Sequence, residues 1–361
     1  MPWTELLNHH SQVEQFRHAL RYGHLGNTYL FVGPPGIGKR YFAKKLAHAL
    51  LCENPPDWLE CCQQCPGCNQ VKAGSHPDLI EICKPPDRAN IPVELFIGDR
   101  DHRRRVGLIH DIGLKPFRGG KRIAIINDAD FLDTESANSL LKTLEEPPPQ
   151  SVLILIGTSQ QQQLPTILSR SQIIRFQPLT SQQIEQLLKE QNDLSADVPL
   201  EQVALAAGGS MEMANFLAQA DIFEFRTQLY EQLATADPIQ HAFSKVITQF
   251  ADSAGTESAV KRTRLNLVGE LIIRFFQQCL SELAGDRQAP AGDQALQQFG
   301  RCLLAYWGTL PTIEAMECCA DAIDRTLEFQ THIDANVSPA NAIDSLLIDL
   351  GRVTRSKLSK T

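Results

Sequence analysis

The stretch between residues 28 and 51 constrains the fold more than any other. A short β-rich run, Thr28–Val32 (TYLFV), leads into GPPGIGK at Gly33–Lys39. A helical pattern follows to about Leu51, with Phe42, Leu46 and Leu50 on one face. Strand, glycine turn and helix, in that order, are what a phosphate-binding loop requires. Gly36 and Gly38 carry no Cβ, so backbone N–H groups can approach phosphate oxygens, and the start of the following helix adds favourable partial charge. Lys39 is the residue that would reach the outer phosphates.

Further strands and helices alternate downstream. LIEI at 79–82, RIAII at 122–126 and VLILI at 152–156 read as strands, the last a continuous apolar run of the kind buried on both faces of a parallel sheet. Between the last two, a helix from about Thr134 to Glu145 carries Ala137, Leu140, Leu141 and Leu144, and the prolines at 147–149 end it. The alternation implies an α/β core around a parallel sheet. Residues 53–78, rich in Cys, Pro, Gln and Gly, show no period and read as an irregular module inserted after the first core helix. Gln160–Gln163 reads as a loop. Beyond Pro178 only helical patterns remain, so the last third is α-helical.

The nucleotide chemistry is incomplete. The position after Lys39 should be Ser or Thr, whose hydroxyl binds Mg²⁺, and here it is Arg40. The strand at 122–126 should end in a carboxylate pair. Instead Asn127 takes the place of the metal-binding Asp, and Asp128, one methylene short, that of the Glu that orients water. Hydrolysis should suffer at both steps. A plainer reading of Asp128 and Asp130 is that they cap the helix beginning near Thr134.

Six of the ten cysteines lie between Cys52 and Cys83. A long chain whose start, MPWTELLNHH, has no basic region followed by an apolar stretch is a poor disulfide scaffold, and the clustering points to a metal. Cys62-Gln-Gln-Cys65-Pro-Gly-Cys68 forms two overlapping C-x-x-C units, whose turns let thiolates face one ion, and four sulfurs satisfy tetrahedral zinc. Cys52, Cys62, Cys65 and Cys68 are the expected ligands, with Cys61 able to replace Cys62 after a small shift. With all four positions filled by sulfur, the zinc would be structural. A thioredoxin-like dithiol is the redox alternative. Cys83, Cys279, Cys302, Cys318 and Cys319 are expected to be ordinary buried residues.

Thirty-four basic and 42 acidic side chains give a net charge of −8, which argues against a free-standing, high-affinity nucleic-acid binder. The run RDHRRR at Arg100–Arg105 is a phosphate-contact candidate or, more plainly, a solvated helix face. No apolar run approaches the roughly 20 residues that span a bilayer.

Taken in order, several motifs resemble the clamp-loader branch of the AAA+ proteins, most closely its delta-prime subunits. They are TYLFVGPPGIGK at 28–39, the cysteine module with His76-Pro77-Asp78, the stretch LKPFRGG from Leu114, LLKTLEEPP from Leu140, and LPTILSRS from Leu164. The resemblance implies an α/β P-loop core over residues 1–178 with the zinc module at about 52–68, a small helical lid over 179–221, and an all-α collar over 222–361 that holds a ring of related subunits. It implies that Arg170, in Ser169-Arg170-Ser171, reaches into the ATP site of a neighbouring subunit, where such a finger is worth about 10³–10⁵ in rate; the plainer alternative is that Arg170 only pairs with a local carboxylate. It places the γ-phosphate sensor at Thr158 and puts Glu212 where the lid's arginine should stand, so that an acid would repel phosphate. The nucleotide site is then a degenerate one built from Gly33, Gly36, Gly38, Lys39, Asp128 and Thr158, binding ATP weakly if at all.

The expected role is therefore a largely non-hydrolytic ring member, with its own ATPase absent or weak. Its partners would be tau/gamma-like ATPase and delta-like subunits, with the sliding clamp met indirectly, primer–template DNA shared with the complex, and a cytoplasmic location. Two rivals remain: an active ATPase motor of the same loader, motivated by Lys39 and Thr158, and a zinc-dependent nucleic-acid binder, motivated by the cysteines and the Arg100–Arg105 run.

Overall fold

The structure is a computed structural model that describes residues 3, 8–85, 88, 90–99, 101, 105–118, 120–191, 198–235, 241–255, 257–285, 293–308, 310–335 and 337–355. Arg100, His102, Arg103 and Arg104 of the basic run, and Gly119, lie outside the described residues. The chain divides into two compact units: Met1–Ile184 with Gly209–Glu212, and Glu185–Gly208 with Met213–Thr361.

In the first unit, α1 (His10–Arg21) precedes β1 (Thr28–Val32) and α2 (Lys39–Leu50), and α3 (Pro66–Lys72) lies in the cysteine module. Then come β2 (Leu79–Ile82), α4 (Glu94–Ile97), α5 (Leu108–Gly113), β3 (Arg122–Ile126), a 3₁₀ turn at Ala129–Phe131, α6 (Thr134–Glu145), β4 (Ser151–Gly157), α7 (Pro165–Leu168) and β5 (Gln172–Arg175). All strand pairs are parallel, in the order β2-β3-β4-β1-β5. Parallel neighbours need crossovers, and the helices supply them on both faces of the sheet. Tyr29, Phe31, Ile123, Ile125, Val152 and Ile154 pack with Phe16, Phe42 and Leu46 on one face. Leu30, Val32, Ala124, Ile126, Leu153 and Leu155 pack with Phe96, Ile112, Leu140 and Ile167 on the other. Burial on both sides is why β1 and β4 read as unbroken apolar runs. This is the expected α/β P-loop core.

Three expectations are corrected here. Residues 53–78 are not wholly irregular, since Pro66–Lys72 is helical, with Cys65 as its N-cap and proline in its first turn. The sheet has a fifth strand, β5, with a register running from Tyr29↔Gln172 to Val32↔Arg175. Asp128 and Asp130 do not cap α6. Asp133 does, its side chain accepting Ser136 N–H at 2.8 Å.

The second unit is helical, as expected. It contains most of α8 (Ser181–Lys189), α9 (Leu200–Ala206) and most of α10 (Met211–Leu217), then α11 (Ala220–Leu233), α12 (His241–Asp252), α13 (Ser258–Leu283), α14 (Gln294–Tyr306), α15 (Thr312–Asp334) and α16 (Pro339–Arg355). Its core is built on α13, which buries Leu265, Leu271, Ile272, Phe275, Phe276 and Cys279. Phe225 stacks on Phe250, with centroids 3.7 Å apart. Cys318 and Cys319 are buried as expected, but Cys302 is exposed and Cys83 half-buried, because α14 turns Cys302 to solvent and Cys83 follows the end of β2. Among the described residues no helix is long and apolar enough to cross a membrane.

Candidate functional site

The neighbouring strands β3, β4 and β1 end on one edge of the sheet, and their carboxyl-terminal loops meet there. Open parallel sheets place ligands at such an edge. The glycine loop leaves β1, Asn127, Asp128 and Asp130 follow β3, and Thr158 follows β4. Together with Glu212 they line a cleft of about 400 Å³. Of the nucleotide-site residues expected from sequence, Gly36, Gly38, Lys39, Asp128 and Thr158 line it and Gly33 does not.

Local chemistry fixes the loop. Gly38, with φ +96°, is the left-handed residue on which α2 begins. Gly36, with φ +72°, could carry no side chain, since a Cβ would stand 2.1 Å from Ser210 Oγ and 2.8 Å from Glu212 Cβ. Segment 209–212 is packed directly onto the loop: Gly36 O accepts the N–H groups of Met211 at 2.9 Å and Glu212 at 3.3 Å. The acid at position 212 thus stands at the glycine loop itself.

Lys39 is buried, and its ammonium donates to Gly33 O and Pro34 O, both at 2.6 Å, closing the loop on itself. Burial pulls its pKa down to about 8, and the nearby carboxylates of Asp130, Glu212 and Asp128 partly offset this. Those three negative charges surround the cation that would have to hold phosphate. The other nearby cation, Arg40, ion-pairs with Glu81 at 3.3 Å, and Lys44 reaches the same carboxylate at 3.0 Å.

The remaining polar groups are bound within the chain. Asn127 donates to Ile82 O and Cys83 Sγ, both at 3.3 Å, which leaves its buried Oδ1 without a partner. Asp128, at φ +58°, accepts Lys84 N–H at 3.2 Å. Asp130, whose bonding no local pattern predicts, accepts Thr158 N–H at 2.8 Å on one oxygen and the Gln163 amide on the other. The Thr158 hydroxyl donates to Gln162. A site that orients Mg²⁺ and water needs free carboxylate oxygens, and three of the four oxygens of Asp128 and Asp130 are committed.

Arg170 follows α7, outside the cleft lining. Its Nε and Nη2 donate to Glu145 Oε1 at 2.9 and 2.5 Å, and its Nη1 to Thr166 O and Ser169 Oγ, each at 3.0 Å. The pair is partly exposed.

Cys52, Cys62, Cys65 and Cys68 come together, with all four sulfurs within 4.8 Å of one another. Zn–S bonds of about 2.3 Å in a tetrahedron put sulfurs roughly 3.8 Å apart, and Cys62 Sγ lies 3.9 Å from Cys68 Sγ. Backbone N–H groups point at the cluster: Cys52 Sγ accepts from Cys62 at 3.2 Å, Cys62 Sγ from Cys65 at 3.3 Å, and Cys65 Sγ from Cys68 at 3.3 Å. The N–H groups of Gln64 and Cys65 draw the Cys62 thiol down to about 6, whereas burial pushes Cys68 and Cys52 up. The donor set fits a four-sulfur metal site. Cys61 belongs to a different grouping, with His48 and Cys68.

Residues 8–180 match the family described as DNA polymerase III, delta subunit. The chain is 32% identical over 229 residues to DNA polymerase III subunit delta' of Pseudomonas aeruginosa, covering 61% of this chain and 66% of the relative. It is 35% identical over 168 residues to subunit delta' of Bacillus subtilis, covering 46% and 47%. With DNA polymerase III subunit tau of Escherichia coli it shares 32% identity over 227 residues, 60% of this chain and 32% of that one. The matches thus span less than two thirds of these relatives' own lengths.

Proposed function

This chain is a delta-prime-like relative of the DNA polymerase III clamp-loader subunits, and from that premise we propose that it is a largely non-hydrolytic stator in a hetero-oligomeric loader. It presents Arg170 to the ATP of a neighbouring tau/gamma-like subunit while the complex, with a delta-like subunit, opens and places a sliding clamp on primer–template DNA in the bacterial cytoplasm. Its three domains are the P-loop core, a lid over 179–221 and a ring-holding collar over 222–361. The cysteine cluster holds structural zinc, which would fix a module too poor in apolar residues to fold alone.

The observation that carries this reading is the state of the chain's own phosphate loop. Lys39 is turned onto Gly33 and Pro34, three carboxylates surround it, and Glu212 is seated on Gly36. With Arg40 and Asn127 at the metal positions, turnover by this subunit is disfavoured at binding and at chemistry.

Reconstitution with the ATPase and delta-like subunits tests the reading. Arg170→Ala should abolish most clamp-stimulated ATP hydrolysis, and Lys39→Ala should leave it nearly unchanged. The motor reading, favoured by the tau relative and by the intact Lys39, makes the opposite forecast for Lys39→Ala, and turnover by the isolated chain at about 1 s⁻¹ would establish it.

A further inference from the structure

Away from the nucleotide edge, beside the cysteine module, a second cleft of about 510 Å³ is lined by Glu53, His76, Asp78, Arg118, Gly120 and Lys121, among others. Next in sequence to Arg118 of that lining is Phe117, which is 75% exposed, the most exposed large apolar side chain among the described residues. A surface Phe on a loose loop would need no explanation, but the backbone of this one is held in place. Asp78, fully buried, accepts Phe117 N–H on both oxygens, at 2.8 and 3.1 Å, and Arg118 N–H at 3.3 Å. Arg122 pairs with the same carboxylate at 3.5 Å and ties the loop to Lys115 O and Pro77 O. Burying a carboxylate is unfavourable unless it is fully bonded. Here the bonded carboxylate fixes the backbone from which an exposed aromatic ring projects, before any partner arrives.

The surroundings are cationic in a chain of net charge −8. Residues 114–118 and 120–122 hold Lys115, Arg118, Lys121 and Arg122 and no acid. Arg118 pairs with Glu53 at 2.7 Å and Arg122 with Asp78, so Lys115 and Lys121 remain without an ion pair among the described residues. His76 adds a donor. Its Nδ1 accepts Asp78 N–H at 3.1 Å, which places the ring proton on Nε2, and that buried nitrogen has no protein partner although the residue is only 4% exposed and lines the cleft. At Gly120 a Cβ would meet nothing within 4 Å, so a ligand backbone can come close.

An exposed aromatic ring on an anchored backbone, beside unpaired cations and a donor-bearing polar cleft, suits one ligand chemistry above others. A base stacks on the ring while the adjacent phosphates meet the cations. A duplex hides its base faces, and an apolar peptide anchor would want a greasier pocket than this one. We propose that Phe117 and the cleft of His76, Arg118 and Lys121 form a binding site for single-stranded nucleic acid. The site needs no ring partner, and its ligand choice goes beyond the stator role.

The test is fluorescence anisotropy of the purified full chain with a labelled oligodeoxythymidylate of about 12 nucleotides, within the usual site-size range. With two or three phosphates neutralised, affinity should fall about tenfold between about 50 and about 200 mM salt. Phe117→Ala should weaken binding about tenfold or more, Phe117→Trp should preserve it, and Lys121→Glu should weaken it and flatten the salt dependence. Circular dichroism melting of each variant should match the parent chain, since Phe117 is exposed and Lys121 only half-buried. Absence of binding at low salt, equal binding of duplex with no effect of Phe117→Ala, or displacement by a polyglutamate peptide at matched concentration would each overturn the proposal, the last in favour of an acidic protein partner. Such a failure, alongside Arg170-dependent ATPase stimulation in the reconstituted complex, would leave the stator reading standing.

Discussion

Glu145 Oε1, at the end of α6, accepts both Nε and Nη2 of Arg170. The guanidinium is thereby held in one orientation by its own chain. The side chains are 30% and 50% exposed, and an ion pair that open to water is worth no more than about 1 kcal/mol. On the stator proposal, a neighbour's triphosphate would take the arginine from the carboxylate at that small cost. In the assembled loader, Arg170→Ala should lower ATP hydrolysis by about 10³-fold or more. Glu145→Gln should change it by about fivefold at most and shift the melting temperature by less than about 4 °C. If Glu145→Gln is as damaging as Arg170→Ala, the functional unit is the intact pair and not a released arginine.

Glu212 stands against Gly36 at the loop where phosphate would sit. Glu212→Gln keeps the shape and removes the charge, so fluorescent ATP analogues should bind about tenfold more tightly, a gain of about 1.4 kcal/mol. Hydrolysis should not return, because Arg40 and Asn127 still occupy the metal positions. Unchanged affinity in a titration of wild type against Glu212→Gln would show that the acid is not what limits binding.

Lys39 gives the fold a pH signature. Its folded-state pKa of about 8 lies below the ordinary lysine value of 10.5, so between those values the unfolded chain holds more protons and stability rises with pH. This contribution is complete above 10.5 and is lost as the pH falls through 8. Lys39→Met, of similar length and without the charge, should lack that rise. Urea midpoints at about pH 8 and about pH 10 measure it as a difference between the two proteins, which removes the other titrating groups common to both. Equal slopes would mean that Lys39 keeps an ordinary pKa in the folded chain.

How far the sequence is legible depends on the range of the interactions. Helix α6 is readable to the residue because its signals are local: apolar spacing inside and prolines beyond Glu145. Strand β5 escapes because it is an edge strand of four residues with Gln172 and Arg175 exposed, and it acquires its identity only by pairing with β1, more than 140 positions earlier. Helix α3 escapes because its seven residues, PGCNQVK, carry no apolar period, and it starts from a Cys65 cap within the sulfur cluster. Asp128 and Asp130 were legible as polar residues at a strand end but not in their roles. Their partners, Lys84 N–H and Thr158 N–H, lie 44 and 28 residues away, and no local pattern encodes them. The four-cysteine grouping could be read because C-x-x-C turns are short-range, and Cys52 is the one distant member.

That grouping makes a sharp prediction about neighbours in sequence. Cys61 and Cys62 are adjacent, and Cys61 could replace Cys62 after a small shift, but only Cys62 lies with Cys52, Cys65 and Cys68, and only Cys62 has its sulfur aimed at by the Cys65 N–H. Elemental analysis should find about one zinc per chain. Cys61→Ser should keep it, while Cys62→Ser and Cys68→Ser should lose it, since three sulfurs leave the tetrahedron open. Loss of the ion removes folding free energy from the module alone. A chelator should therefore hasten proteolysis within residues 52–68 while leaving the melting of the sheet core, with its two-sided burial of β1 and β4, nearly unchanged. Zinc retained in Cys62→Ser and lost in Cys61→Ser would transfer the ligand role to Cys61 and its grouping with His48.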